Sequence, residues 1–157
     1  MPGALTAVVA VLMAIPTASA LSLGDARPKV VVAGATGKAG SAVVRSLVES
    51  GGVDIVALVR SAAKARTLYG EDSGVAIAEA DYADTDALDA VLREHPACRI
   101  FIACANGPNQ ARLEVNLCEA AKRHGASYAV KLSTATPVLE MKAGGPYGAH
   151  LEAEAAL

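Results

Sequence analysis

Lys29-Val-Val-Val-Ala-Gly34-Ala-Thr-Gly37-Lys-Ala-Gly40 sets a short apolar run directly before three glycines spaced by three, and a helical pattern follows them. In that order, strand, glycine turn and helix, a pyrophosphate can rest on backbone N–H groups at the helix N-terminus. Gly34 suits the tight turn, Gly37 leaves the backbone open to the phosphates, and Gly40 lets the helix lie close to the strand. The spacing is not G-x-G-x-x-G, so the weight rests on the context of a strand before and a helix after. Ala35, Thr36, Lys38 and Ala39 complete the loop and count with the glycines as candidate cofactor contacts.

Strand and helix signals alternate on the C-terminal side. Val30–Ala33 reads as the first strand, and Lys38 to about Ser50 as a helix with Val43/Leu47 and Val44/Val48 on its buried face. Val53–Val59 is an apolar second strand, Ala62–Leu68 a short helix, and Gly74–Ala80 a third strand. Asp84 or Thr85 caps a helix whose Leu88, Val91 and Leu92 face inward, and Pro96 ends it. Arg99–Ala103 is the fourth strand. Asn109 to about His124 is a helix with Leu113, Leu117 and Ala121 in register, and Ser127–Leu132 is the fifth strand. From about Tyr147 the tail has a helical composition. Strands without alternation, separated by crossover helices, predict a parallel, doubly wound α/β sheet of Rossmann-like order 3-2-1-4-5. The pattern stops before a sixth strand, which leaves the fifth as an exposed edge open to a protein partner.

The 157 residues allow one domain, and the 53% hydrophobic content comes with one Phe, four Tyr and no Trp, as suits close helix-on-sheet packing. A net charge of -2 without a basic run excludes nucleic acid as an expected partner. Cys98, Cys104 and Cys118 lack metal-ligand spacing, so no metal site is expected. Cys104 has no activating base in view and is not taken as a nucleophile.

The first twenty residues read as a leader. Ala4–Ile15 is apolar apart from Thr6, Pro16 breaks the run, and Ala18-Ser19-Ala20 offers a small-residue cleavage site. The run is too short to span a membrane. Residues 21–28 are a linker and 29–157 the dinucleotide-binding domain. A secretory or plastid address follows if the segment is functional, and a cytoplasmic one if it is not.

Candidate chemistry gathers at the C-terminal ends of the strands. Arg60, twenty residues past Gly40, stands where an NAD-preferring fold places an acid for the ribose 2′-OH. Its planar fork of donors instead suits a 2′-phosphate, so NADP is expected over NAD, with Lys38 and Lys64 adding charge nearby. Asp81 is placed to accept from an adenine amino group with Tyr82 beside the ring; the alternative is an acidic turn before the next helix. Ala105 and Asn106, in the small-residue stretch after the fourth strand, let a cofactor pass close to the backbone. Ser133 ends the fifth strand, and Tyr147 and His150 form a later polar group. These three are the catalytic candidates. A Lys four residues after Tyr147 would lower the phenol's pKa, but Leu151 stands there.

From Lys29 to Leu157 the chain resembles the N-terminal part of NmrA-like, atypical short-chain dehydrogenase/reductases, the group that includes NAD(P)H:quinone oxidoreductase-like proteins and redox-sensing regulators. The resemblance rests on Gly34–Gly40, Ala57-Leu-Val-Arg60 with Lys64-Ala-Arg66, Ala80-Asp81, Asn116–Gly125 and Leu132-Ser133-Thr134. It implies that Gly34–Gly40 and Arg60 bind NADP and that Asp81 lies by the adenine. His150-Leu-Glu-Ala-Glu154 matches the His-x-Glu-x-Glu stretch of the quinone-reductase-like members. The family also carries a C-terminal portion that shapes the substrate pocket and that has no counterpart in this sequence. Two functions are therefore expected: an NADPH-using oxidoreductase acting on a quinone or small carbonyl-type substrate, or a non-catalytic NADP-binding sensor acting through a partner.

The leader reading predicts that protein isolated from its native cell begins near Leu21. N-terminal sequencing that recovers Met1 or Pro2 on most molecules would refute it.

Overall fold

The computed structural model describes residues 27–104, 107–133, 150 and 153–157; the leader expected over residues 1–20, Ala105, Asn106 and Tyr147 lie outside them. Five strands, β1 (Lys29–Ala33), β2 (Asp54–Val59), β3 (Val75–Glu79), β4 (Arg99–Ile102) and β5 (Tyr128–Lys131), form one sheet in the order β3-β2-β1-β4-β5. Every pairing is parallel, with Val31 opposite both Val56 and Ile100. Four helices cross between strands: α1 (Lys38–Ser50), α2 (Ala62–Tyr69), α3 (Thr85–Arg93) and α4 (Gln110–Arg123).

Both faces of the sheet are covered, which is why its strands are apolar throughout and do not alternate. Val31, Val56, Leu58, Ile100 and Ile102 turn to one side, where Leu88 and Leu92 of α3 and Leu117 of α4 meet them. Val30, Val32, Ile55, Ala57, Val59 and Phe101 turn to the other, against Val43, Val44 and Leu47 of α1. Val48, expected on that buried face, is instead 44% exposed. At about 100° per residue, Gly40, Val43, Val44 and Leu47 cluster on one stripe, and Val48 falls roughly 80° from Gly40 at its rim.

Local chemistry explains the boundaries. Asp84 takes extended backbone angles and its carboxylate accepts the Ala87 N–H at 3.0 Å, which starts α3. The Ser61 hydroxyl accepts the Lys64 N–H at 3.4 Å and the Glu79 carboxylate accepts the Ala62 N–H at 2.6 Å, so α2 is capped twice. Helix α1 differs. Its N-cap is Gly37, with no side-chain cap and no acidic residue in the first turn. The N–H groups that open α1 therefore face outward without a side-chain acceptor.

Candidate functional site

The C-terminal ends of β1, β2, β3 and β4 surround a cleft of about 980 Å³. Gly34, Thr36, Gly37, Lys38, Ala39 and Gly40 form its floor, Arg60 and Lys64 one arm, and Asp81 and Tyr82 a third side. Ala103, Cys104, Gln110, Leu113 and Leu132 line the far end. This is the crevice at the topological switch point, between β1 with its neighbours β2 and β4 on either side, where open α/β sheets bind ligands.

Each glycine of the loop answers to a different constraint. Gly34 has φ +74°, and a Cβ there would stand 1.9 Å from the Ala103 carbonyl oxygen. At Gly40 a Cβ would meet the Gly34 oxygen at 2.2 Å. Both are needed for the backbone to pack at all. Gly37 is different: its φ is -83°, which any residue adopts, and only the Gly34 oxygen at 3.1 Å comes within 4 Å of an added Cβ. A side chain at Gly37 would project into the cleft, over the uncapped start of α1. The cradle fits a pyrophosphate because it offers helix N-terminal N–H groups with nothing standing above them.

Arg60 and Lys64 are exposed on the cleft's rim. Asp81 lines the cleft and also makes the acidic turn, its Oδ1 accepting the Ala83 N–H at 2.9 Å. Ala35 is buried behind the loop and its carbonyl accepts from the Tyr69 hydroxyl. Tyr82 lines the cleft, but with 5% exposure its phenol is engaged inward: it accepts the Gly34 N–H at 2.6 Å and donates to the Leu58 carbonyl at 2.8 Å. Burial holds that phenol far above its ordinary pKa, so it stays protonated. Cys104 reaches the cleft as an inert thiol, pushed up to about 12 by burial and then by the negative charge of Glu114.

Of the catalytic candidates, Ser133 is exposed and its hydroxyl donates to Glu154. His150 sits beside the cleft lining, in a cluster that the sequence reading did not find. Lys131 Nζ donates to His150 Nδ1 at 2.7 Å and to the Leu132 carbonyl at 3.1 Å, and lies 3.2 Å from Glu114 Oε2. The side chains of Lys131 and Glu114 are 2% and 1% exposed. Gln110 Nε2 donates to Glu114 Oε1 at 3.3 Å. The Lys131–Glu114 approach is poorly aligned for a hydrogen bond, so attraction between charges holds it. On its other side, His150 Nε2 lies 3.4 Å from Gln110 Nε2. A signal was present: Gln110 and Glu114 fall on the same helical stripe as Leu117 and Ala121, where a carboxylate needs a buried partner.

The sheet order, the glycine turn and the uncapped helix define a dinucleotide-binding domain of Rossmann type. Residues 34–149 match the NAD(P)H-binding family, and the chain belongs to it. It is an NAD(P)-binding domain of the NmrA-like, atypical short-chain dehydrogenase/reductase superfamily. Among solved structures it is similar to an NADPH-dependent quinone oxidoreductase of Escherichia coli complexed with NADPH, at 29% identity and a TM-score of 0.68, covering 80% of this chain and 43% of that one. A triphenylmethane reductase of Citrobacter sp. matches at 25% identity and a TM-score of 0.70, covering 82% and 44%. The chain thus spans less than half the length of either reductase. No curated protein matches it.

Two outcomes are expected from this geometry. Gly37→Val should cost about 1–2 kcal/mol, through the helix cap and the 3.1 Å approach of its Cβ to the Gly34 oxygen, yet abolish NADPH binding. Gly40→Ala should lose roughly 2–3 kcal/mol through the backbone clash. Urea unfolding and calorimetric titration distinguish the two, and undiminished NADPH affinity in Gly37→Val would refute the cradle. For the buried pair, Lys131→Met should cost about 3–5 kcal/mol because it strands Glu114, and Glu114→Gln added to it should restore most of the loss. A double variant no more stable than Lys131→Met would show that the two charges are not coupled.

Proposed function

We propose that the domain binds NADP(H) in preference to NAD(H) and presents it for hydride transfer to a quinone or other small carbonyl-type acceptor. The observation that carries the preference is Arg60 on the rim of the cleft that contains the glycine cradle, with Lys38 and Lys64 on the same cleft. The pyrophosphate would lie on the opening N–H groups of α1, and the guanidinium would take the 2′-phosphate through charge-assisted hydrogen bonds. Asp81, beside them, suits the adenine amino group. The NADPH complex of the Escherichia coli quinone oxidoreductase supports the cofactor choice, and both reductases support the reaction class.

Bound cofactor supplies the hydride. What this chain supplies is binding, orientation and a far wall of small and apolar groups at Ala103, Leu113 and Leu132. Ser133 and His150 are described side chains at that end able to hold a proton near an acceptor, with His150 Nδ1 2.7 Å from Lys131 Nζ.

A second reading has a specific observation behind it. Among the described residues β5 pairs only with β4, and Leu132 at its end is 46% exposed. An unpaired strand edge beside the cofactor cleft suits a protein partner, so the domain would act as an NADP-dependent sensor. Binding of NADPH without oxidation by a panel of quinones favours this reading, and quinone-dependent NADPH oxidation favours the first.

Arg60→Ala tests the cofactor choice. Losing charge-assisted bonds to a 2′-phosphate should cost roughly 2–3 kcal/mol with NADP, a weakening of about 30- to 150-fold, while NAD affinity barely changes. Added salt should weaken NADP more than NAD. Equal losses for both cofactors would mean that Arg60 does not read the phosphate.

A further inference from the structure

Strands β1 and β2 pair as far as Ala33 opposite Leu58. Beyond that point they part, β1 into the Gly34 turn and β2 toward Arg60. The Tyr82 hydroxyl stands in the opening, accepting from Gly34 N at 2.6 Å and donating to the Leu58 oxygen at 2.8 Å. One oxygen atom thus takes the place of the next rung of the ladder and spends its proton in doing so. The residue is held at its own backbone too. Asn116 Nδ2 donates to the Tyr82 carbonyl at 2.9 Å, and the turn around it closes with Asp84 N–H on the Asp81 carbonyl at 3.0 Å. Tyr69 braces the neighbouring residue by donating to the Ala35 carbonyl.

We propose that Tyr82 is a positioning residue for the dinucleotide, its hydroxyl acting as a one-atom spacer that fixes the Gly34–Gly40 loop against the end of β2. The inference rests on the cofactor reading above. Loop and strand end carry the two halves of that site, the pyrophosphate cradle and Arg60, so the spacer sets the distance between them. It also keeps the Gly34 N–H inside the protein, which leaves anion binding to the start of α1. Preorganising the loop in this way lowers what binding must spend on ordering it. Phenylalanine would fill the same volume but leave the Gly34 N–H and the buried Leu58 carbonyl without their bridge.

The test uses wild type, Tyr82→Phe, Arg60→Ala and the double variant, titrated with NADPH well below the unfolding temperature of each. Tyr82→Phe should bind about tenfold more weakly, the scale expected when a buried hydrogen-bonded group loses its partner. The double variant should lose less than the product of the single losses, because Arg60 is useful only at the distance Tyr82 sets. Hydrogen exchange gives a readout free of cofactor: the Gly34 amide should be as protected as that of Val32 in wild type and exposed in Tyr82→Phe. A folded Tyr82→Phe with wild-type NADPH affinity overturns the proposal, as does a Gly34 amide that exchanges freely in wild type. If Tyr82→Phe does not fold, the wild-type amide decides: protection already complete without NADPH supports the spacer, and protection that appears only on adding NADPH overturns it. Wild type that protects Gly34 but binds no NADPH would instead overturn the cofactor reading, and the positioning role with it.

Discussion

The contact of Gly40 with the carbonyl of Gly34 governs this structure. A single methyl group there would come within 2.2 Å of that oxygen, so α1 leaves β1 at a closeness only glycine permits. On the other side, Gly34 itself lies too near the Ala103 carbonyl for a side chain. The turn is therefore clamped between α1 and the end of β4. That clamp fixes the direction of α1, which brings Val43, Val44 and Leu47 down onto the sheet face that holds Val30 and Val32. It also aims the uncapped N-terminus of α1 into the crevice. The fold and the shape of the candidate cradle are two consequences of one backbone contact.

The features set by backbone pattern were legible in the sequence. Apolar runs of strand length between crossover helices specify a parallel sheet covered on both faces, and the glycine turn locates the switch point between β1 and its neighbours. The cap of α3 was legible as Asp84 or Thr85, either of which offers an oxygen before an amphipathic run, and the structure places it at Asp84. Val48 shows the limit of i,i+4 pairing: the spacing places two residues on neighbouring turns without saying where the centre of the buried stripe lies. Tyr82 shows another. Its position beside Asp81 suggested a ring against the adenine, but the direction of the side chain depends on the gap between β1 and β2, which no local pattern records. Glu114 and Lys131 are 17 residues apart in sequence. Helix periodicity put a carboxylate on the buried stripe of α4, yet only the pairing of β5 with β4 identifies its counter-charge.

Charge is arranged differently at the two ends of the cleft. At the end of β2, Arg60 and Lys64 are exposed, well hydrated and free to meet an anion at little desolvation cost. Near β5 the charges of Lys131 and Glu114 are removed from water and answer to each other, to His150 and to Gln110. A pair buried this deeply costs more to desolvate than hydrophobic residues would, so it adds specificity of arrangement more readily than net stability. The arrangement it specifies is the register of α4 against β5, whose Gln110 and adjoining Leu132 line the cleft on that side.

That division bears on how substitutions would change the site. On the proposed reading, the exposed arm at Arg60 acts through its charge, and the preference would move with that one side chain. The backbone N–H groups of the glycine floor are positioned by the Gly34–Gly40 contact and the Tyr82 bridge. At the glycines of the floor a side chain would either stand in the cleft, as at Gly37, or break the packing, as at Gly40. On that proposed reading, cofactor preference is adjustable at the end of β2, while the shape of the floor follows from the close approaches at Gly34 and Gly40 and from the Tyr82 bridge.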